Sequence, residues 1–278
     1  MNIEKKITLK PLCKWSGGKR NEIKIFKQFY PKKFDRFIEP FAGGAAVFFD
    51  LNFQGPNVIN DIHPDLINFY KQISLGYANE IYDLVTSFGI GEKEYYIVRG
   101  GGKKLTDEDI RFQPKNDIER AAQFYYLRKT CFRGMLRYNN QGGFNVPWGK
   151  YKNVNFNDIK NKNYTDLLSN TEIMVGDYTN VFEKYNSENN FCFIDQPYDS
   201  VFNDYGFDDF NRQKQIELSE IFKKTSNKCL MIVGGSDFIR TLYNGYIKFE
   251  YPKKYAFKIH SGRIGEEINV NHLVITNY

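Results

Sequence analysis

Short apolar runs alternate with amphipathic stretches over the first part of the chain. FDRFIEP at 34–40 is typical of a buried strand, and GGAAVFFDL at 43–51 predicts a helix behind a glycine turn. NVINDI at 57–62 is a second apolar run that ends in an acid, and PDLINFYKQI at 64–73 has helical spacing with proline in its first turn. This order of elements opens a doubly wound α/β unit.

The alternation stops after residue 70. The spacing predicts helices at 78–88 and 118–129, followed by the basic and aromatic run RKTCFRGMLRYNNQGGFNVPWGKYKN. Strands are predicted to resume at 172–175, 191–194, 229–233, 246–249 and 271–276, with an amphipathic helix at 212–224. We therefore expect an α/β domain in two parts, residues 1–70 and 164–278, interrupted by a segment of different character at 71–163.

The composition is that of a globular protein with a basic surface. Of the 278 residues, 41% are hydrophobic and 26% charged, and 39 basic against 33 acidic residues give a net charge of +6. Aromatic residues make up 17%, so the charge and the rings together suit an anionic partner with flat faces, such as nucleic acid, although many other soluble proteins share this balance. No apolar stretch approaches membrane-spanning length and the first ten residues lack a signal-peptide core, so we expect a cytoplasmic protein.

The spacing of cysteine and histidine predicts neither a disulfide scaffold nor a metal site. The cysteines form no Cys-x-x-Cys pair and the histidines have no His-x-x-x-His spacing, so we expect reduced thiols and no metal. The residues concerned are Cys13, Cys131, Cys192 and Cys229, and His63, His260 and His272.

A glycine loop between strand and helix is the first candidate for chemistry. In PFAGGAA at 40–46, glycine lets the backbone approach a ligand, and the helix that follows presents unpaired N–H groups. Asp61 follows Gly43 by eighteen positions, where a carboxylate at a strand end can bind a ribose diol. The absence of Gly-x-Gly-x-x-Gly favours a single adenosine over a dinucleotide. The alternative is an ordinary tight turn and a solvated aspartate.

A second candidate is the turn after the apolar run at 191–194. In FCFIDQPY, proline fixes the backbone direction, so that the Gln196 carbonyl and the Asp195 carboxylate can both accept hydrogen bonds from one planar amine. Tyr198 offers a face on which the ring bearing that amine can stack. Alone, the tetrapeptide is equally typical of an ordinary turn after a strand.

The motifs occur in an order that resembles the Dam-type family of DNA adenine-N6 methyltransferases. KWSGGK, PFAGG, NDI, GGFNVPWGKYK and IDQPY follow one another over essentially the whole chain, and the C-terminal NHLVITNY is similar to the last strand of that family. The resemblance implies a Rossmann-like S-adenosylmethionine-dependent sheet with an inserted, mainly helical DNA-recognition domain. It also implies methyl transfer to a flipped-out adenine in a short site of double-stranded DNA. A monomer can carry out this reaction, so we expect no obligate protein partner, and the reaction requires no metal.

Carried over residue by residue, the resemblance implies two sets of residues in one pocket. The catalytic turn comprises Asp195, Gln196, Pro197 and Tyr198. The cofactor set comprises Trp15 and Lys19 at its flanks, Phe41, Gly43 and Gly44 under the methionine part, Asp61 at the ribose and Asp177 near the adenine. Without the family, Trp15 is equally a hydrophobic anchor, Lys19 a solvated charge and Asp177 a helix cap.

The basic run is expected to bind DNA. The resemblance implies that Arg137 reads a guanine edge, which is worth roughly 1–3 kcal/mol of discrimination, and that Phe132 fills the gap left by the flipped base. The alternative is a core phenylalanine within a solvated basic face. The complete set is Arg128, Phe132, Arg133, Arg137, Asn145, Pro147, Lys150, Tyr151 and Lys152.

Three positions depart from the family pattern. Gln196 stands where the family has proline, and Ala45 stands where it has glycine, which is harmless only if the φ angle of Ala45 is negative. Arg133 stands where GATC-methylating relatives carry asparagine, so a GATC-like site is supported by Arg137 alone. The first two departures motivate an alternative, a DNA-binding relative with impaired catalysis. Methylation of RNA or of a glutamine side chain is a third possibility, and both a restriction–modification pair and a solitary enzyme are compatible with the sequence.

Overall fold

A seven-stranded sheet forms the centre of the molecule in the computed structural model, which describes residues 8–101, 105–106, 110–198, 210–255 and 268–278. The strands are β1 Arg36–Glu39, β2 Asn57–Asp61, β3 Thr171–Val175, β4 Asn190–Ile194, β5 Lys228–Gly234, β6 Ile247–Tyr255 and β7 Ile268–Thr276. Their order in the sheet is β3-β2-β1-β4-β5-β7-β6, parallel from β3 to β5 and antiparallel for β7 and β6.

Helices cover both faces of this sheet. Those in the described ranges are α1 Ile23–Phe26, α2 Ala46–Leu51, α3 Pro64–Ser74, α4 Ala78–Ser87, α5 Glu92–Arg99, α6 Asp117–Thr130, α7 Lys162–Ser169, α8 Thr179–Lys184, α9 Arg212–Lys224 and α10 Asp237–Leu242. Short 3-10 turns lie at Lys27–Phe29, Phe132–Gly134 and Asn157–Lys160. None of these helices is long and apolar enough to span a membrane.

The central strands are largely buried because helices cover both of their faces. β4 is buried at every position, as expected of a parallel strand between two helical layers. Successive side chains point to opposite faces, so Phe37 joins one hydrophobic cluster and its neighbour Ile38 the other. The first cluster holds buried residues of α2, α3, α6 and α7, and the second those of α8, α9 and α10.

The strand order creates a cleft between β1 and β4. From β1 the chain proceeds outward through β2 and β3 on one side, and β4 and β5 lie on the other. Ligands of open α/β sheets bind at the carboxyl ends of the strands where the order reverses in this way. The glycine loop after β1 and the acidic turn after β4 therefore lie side by side.

The predicted α/β fold class is confirmed, together with each predicted helix and strand. The main difference concerns 43–51, where the helix begins only at Ala46 because Gly43 and Ala45 have positive φ angles. The predicted domain boundaries stay a prediction. α6, which lies within 71–163, packs against α3, and buried residues of both helices belong to the same hydrophobic cluster as Phe37 of β1.

Candidate active site

A single cavity at the carboxyl ends of β1, β2 and β4 brings the predicted cofactor and catalytic residues together. Its volume is about 1080 Å³, including the part that opens to solvent, which is ample for a small-molecule ligand. The predicted residues in its lining are Trp15, Lys19, Phe41, Gly43, Gly44, Asp61, Asp177, Asp195, Gln196, Pro197 and Tyr198. Within the described ranges, no group of three or more histidine, cysteine, aspartate or glutamate side chains is placed to hold a metal ion.

The glycine loop is folded tightly against Trp15. Gly43 has a φ angle of +47°, and a Cβ atom there would lie 2.6 Å from the indole ring, so only glycine fits. Its N–H donates to Asp61 Oδ2 at 2.8 Å, and the Tyr70 hydroxyl donates to its carbonyl at 2.9 Å. The loop, the acid at the end of β2 and the indole thus form one wall of the cavity, a cradle that a larger residue at position 43 would fill.

Ala45 adopts the conformation that the sequence analysis identified as harmful. Its φ angle is +51° and its ψ angle +43°, the left-handed region, at the residue that precedes α2. The condition of a negative φ angle is therefore not met. A non-glycine residue in this conformation costs roughly 1–2 kcal/mol, and Ala45 is fully buried, so the surrounding core holds it there.

Four carboxyl groups, those of Glu39, Asp61, Asp177 and Asp195, give the cavity an acidic lining. Burial raises the pKa of Glu39, Asp61 and Asp195 above the ordinary range for a carboxyl group. Hydrogen bonds oppose this shift, from the Phe48 N–H to Glu39 at 3.2 Å and from the His63 N–H to Asp61 Oδ1 at 2.9 Å. Because a cation nearby favours ionised carboxyl groups, this set of side chains fits a ligand that carries a sulfonium or an ammonium group.

Lys19 is buried against the predicted catalytic turn, Asp195–Tyr198. Its ammonium group donates to Asp195 Oδ1 at 2.6 Å and to the Gly17 carbonyl at 2.7 Å, and its side chain is 2% exposed. The same Nζ atom lies 5.0 Å from the centre of the Tyr198 ring. The alternative of a solvated surface charge is wrong for Lys19, because the residue ties the KWSGGK loop to the turn after β4.

Gln196 fills the position of the missing proline with a buried side chain. The residue is 1% exposed, its Nε2 atom lies 3.3 Å from Met231 Sδ, and its Oε1 atom has no hydrogen-bond partner among the described residues. The next residue is held from outside the turn, since the Gln215 side chain donates to the Pro197 carbonyl at 2.7 Å. Gln215, on α9, is a residue that the sequence analysis did not identify.

A buried polar cluster lies behind Tyr198. The edge of its ring meets His272 at a centroid distance of 5.4 Å and an interplanar angle of 86°. His272 Nδ1 lies 2.6 Å from Glu22, which also accepts from the Tyr251 hydroxyl at 2.8 Å and from Lys253 at 2.6 Å. Although burial opposes ionisation, the hydrogen bonds from His272 and Lys253 lower the pKa of Glu22 to about 2. No sequence motif indicated this cluster.

Asp177 lies in the turn that leads into α8. Its Oδ1 atom accepts hydrogen bonds from the Thr179 N–H at 2.9 Å and hydroxyl at 2.8 Å, but the N-cap residue of α8 is Tyr178, so Asp177 orders the turn before the helix and is not its cap. It also lines the cavity, beside Phe41, whose ring stacks on Tyr178 at 5.0 Å. Its contact with a cofactor adenine stays a prediction.

The basic run forms a hairpin at the mouth of the cavity. Tyr138 and Phe144 pair across it, and exposed Arg137 donates through Nε to Asn145 Oδ1 at 2.7 Å. Leu136, just before Arg137, contributes to the lining of the cavity itself. The guanidinium is thus held in one orientation by a neighbouring amide, as a residue that reads a base edge requires.

The remaining residues of the run surround this hairpin. Phe132 is 37% exposed, so the alternative of a core phenylalanine is wrong, and its N–H donates to the carbonyl of exposed Pro147 at 2.8 Å. Tyr151 is half-buried and accepts from Lys14 at 2.9 Å. The side chains of Arg133, Lys150 and Lys152 are exposed.

Arg128 does not lie where the sequence analysis expected it. It is 1% exposed, and its guanidinium donates to the carbonyls of Met135 at 2.6 Å, of Gly134 at 2.7 Å and of Lys14. Its Cζ atom also lies 5.1 Å from the centre of the Trp15 ring. A phosphate contact is therefore wrong for Arg128, because the residue joins the KWSGGK loop to the basic run from inside the protein.

Comparisons with known proteins agree with this geometry. The family model of the D12 class N6 adenine-specific DNA methyltransferases matches residues 15–260. The Type II methyltransferase M.CviBI of Paramecium bursaria Chlorella virus NC1A is 51% identical over 97% of this chain and 100% of its own. The Type II methyltransferase M.MjaIII of Methanocaldococcus jannaschii is 33% identical over 86% of this chain and 89% of its own. A DNA adenine methylase of Haemophilus influenzae is 26% identical over 91% of this chain and 88% of its own. The resemblance is confirmed, and the chain belongs to the D12 class of N6 adenine-specific DNA methyltransferases.

Proposed function

We propose that the protein transfers the methyl group of S-adenosylmethionine to the N6 atom of an adenine flipped out of a short duplex site. One observation carries the proposal. The Asp195–Tyr198 turn and the glycine loop share one acidic cavity, in which Lys19 holds the Asp195 carboxylate at 2.6 Å. A planar amine and a cationic methyl donor have complementary chemistry in this arrangement.

The catalytic turn would bind the base outside the helix. Flipping costs a few kcal/mol, and stacking on Tyr198 returns roughly 1–3 kcal/mol of it. Asp195 and the Gln196 carbonyl would accept the two amino hydrogens, so that the lone pair of the nitrogen faces the donor. Lys19 favours the ionised form of Asp195, which burial alone would disfavour.

The other walls would orient the methyl donor. S-adenosylmethionine, when bound, supplies a methyl group on a positively charged sulfur that leaves as a neutral thioether. Asp61 would bind the ribose diol, Trp15 and Gly43 would enclose the methionine part, and Glu39 would face its positive charge. Holding the nucleophile about 3–3.5 Å from the methyl carbon contributes to the rate by positioning alone.

The hairpin would select the site on the DNA. Arg137, oriented by Asn145, would donate two hydrogen bonds to a guanine, and Phe132 would fill the gap left by the adenine. Arg133, Lys150 and Lys152 would contact phosphates. We propose a guanine-containing site and retain a GATC-like sequence as its most specific form.

The reaction is tested with purified protein, radiolabelled S-adenosylmethionine and mixed-sequence duplex DNA. We expect label in adenine N6, and sequencing of modified adenines in DNA from cells that express the protein should reveal one short motif. The matched control is Asp195→Asn, which keeps the shape of the turn and should transfer no label. Intact cofactor binding without labelled adenine in the wild type would contradict the proposal. Competition by RNA more effective than by duplex would redirect it to RNA.

The strain at Ala45 and the buried amide of Gln196 favour a second candidate, a DNA-binding relative with impaired catalysis. Gln196→Pro distinguishes the two. An inactive wild type together with an active Gln196→Pro variant would support the impaired relative. Methyl transfer by the wild type itself would exclude the impaired relative.

A further inference from the structure

His63 connects Asp61, the acid at the end of β2, to the hairpin that we propose reads DNA. The residue is 2% exposed, and its backbone N–H donates to Asp61 Oδ1 at 2.9 Å. Its Nε2 atom lies 2.7 Å from the hydroxyl of Tyr138, which follows Arg137 in the hairpin. His63 and Tyr138 therefore link two proposed binding residues. One is Asp61, the carboxylate proposed to bind ribose, and the other is Arg137, proposed to read guanine.

The orientation of the imidazole ring is fixed from several sides. The Leu66 N–H, in the first turn of α3, donates to Nδ1 at 3.3 Å, which leaves the proton on Nε2, directed at Tyr138. Burial lowers the pKa of His63 to about 4, so the ring is neutral near pH 7. Trp15 and Phe124 pack against it at centroid distances of 5.7 and 5.5 Å.

The other end of the connection is equally constrained. Tyr138 pairs with Phe144 across the hairpin, and its ring lies 5.7 Å from that of His63. A displacement of Tyr138 must therefore shift the hairpin and, with it, the Arg137–Asn145 contact beside it. Since Trp15 contacts both His63 and the glycine loop, a ligand enclosed by that loop restrains the imidazole ring as well.

We propose that the His63–Tyr138 hydrogen bond couples the cofactor pocket to the DNA-reading hairpin, so that the cofactor and the duplex strengthen each other's binding. The inference rests on the proposed function. A ligand on Asp61 fixes the loop at 61–63, and the hydrogen bond passes this restraint to the hairpin. By thermodynamic linkage the effect is reciprocal, so the bound duplex raises the affinity for the cofactor by the same factor. His63 and Tyr138 are positioning residues in this scheme.

The coupling is measured as the ratio of duplex affinities with and without saturating S-adenosylhomocysteine. For the wild type we expect a ratio of at least about five. Tyr138→Phe removes only the hydroxyl and should bring the ratio close to one, as should His63→Asn. Because both substitutions break the same contact, the double variant should lose no more than either single variant. His63→Gln, whose amide nitrogen reaches toward the position of Nε2, should restore part of the ratio.

Tyr126→Phe is the matched control. It removes a hydroxyl that donates to the Gly89 carbonyl at 2.9 Å and should keep the wild-type ratio, because neither Tyr126 nor Gly89 lines the cavity. A second readout needs no ligand: amide exchange at 135–145 should be faster in Tyr138→Phe than in Tyr126→Phe.

Two results would overturn the coupling. One is a ratio near one in the wild type although both ligands bind, and the other is an unchanged ratio and unchanged exchange in Tyr138→Phe. Neither result would affect the proposed methyl transfer. Failure of the wild type to bind S-adenosylhomocysteine at all would instead overturn both proposals.

Discussion

At the scale of single residues, Ala45 carries backbone strain that can be measured directly. Replacing it with glycine relieves a left-handed conformation but also removes a buried methyl group and loosens the unfolded chain. Ala46, the first residue of α2, is also buried and has helical angles, so Ala46→Gly carries the same two losses without the relief. We expect Ala46→Gly to lower the free energy of unfolding by about 1–2 kcal/mol more than Ala45→Gly, measured by urea denaturation. Equal losses would mean that the strain is relieved elsewhere.

Substitutions at Asp195 and Lys19 distinguish the contribution of their ion pair to stability from the proposed role of Asp195 in methyl transfer. Asp195→Ala leaves the ammonium group of Lys19 buried without its carboxylate, which costs about 3 kcal/mol of unfolding free energy. We expect transfer to fall by at least about 10²-fold while duplex affinity is largely retained. Adding Lys19→Met removes the stranded charge and should recover stability but not transfer. Thermal melts, filter binding and label transfer measure the three effects. A parallel loss of duplex affinity would make Asp195 a structural residue only.

The sequence predicted which residues form the site, but it did not predict which distant partners surround them. The positions of Asp195 and Gly43 follow from strand ends and turn chemistry, which are local properties. Nothing in the local sequence distinguishes Lys19 and Arg128 from the exposed lysines and arginines around them. Their burial depends on partners 176 and 114 positions away, namely Asp195 and the Lys14 carbonyl. Spacing alone carries no information on such contacts.

At the scale of elements, the hairpin is the part of the molecule that we propose discriminates between bases. Arg137 is exposed, and Asn145 holds its guanidinium through two hydrogen bonds, at 2.7 and 3.1 Å. Arg137→Ala should reduce discrimination against a mismatched guanine position by roughly 1–3 kcal/mol and leave non-specific affinity nearly unchanged. Lys152→Ala, an exposed cation farther along the run, is the control and should weaken all duplexes alike. Competition with single-base variants of the site measures both, and unchanged discrimination in Arg137→Ala would remove its reading role.

Elements were predicted where the pattern of apolar positions is strong. β4 and β5 contain the uninterrupted apolar runs FCFI and CLMIV, and α9 shows a clear amphipathic repeat, so each was predicted with nearly its observed bounds. The hairpin has no such pattern. Its conformation depends on isolated pairings, Cys131 with Trp148 and Tyr138 with Phe144, and on the buried guanidinium of Arg128. A sequence pattern therefore indicated its basic and aromatic character but not its shape.

At the scale of the whole molecule, the strand order joins distant parts of the chain into one site. Glu22 and His272 are 250 positions apart, and they meet because β7 lies next to β5 and beside the loop that carries Lys19. The cluster they form packs against Tyr198 from behind. Fold-level reasoning predicts that strand ends meet at a reversal of strand order, but it does not predict which side chains fill the space behind them.

Glu22 also ties the stability of the molecule to pH. Its pKa is lowered from 4.5 to about 2, so the folded state favours the carboxylate more than the unfolded chain does. The resulting stabilisation is complete above the unfolded value of about 4.5 and is lost as the pH falls toward 2. Between pH 5 and pH 3, we expect the wild type to lose on the order of 2 kcal/mol more unfolding free energy than Glu22→Gln.

Urea denaturation over that interval measures the difference between the two proteins, in which the other buried groups titrate alike. Glu220→Gln is the control, because its contact with Lys224 at 3.4 Å is exposed and such pairs contribute little. Its curve should follow that of the wild type. If the Glu22→Gln curve also follows the wild type, the carboxylate is not ionised in the folded state, and the cluster behind Tyr198 is held together by packing rather than by charge.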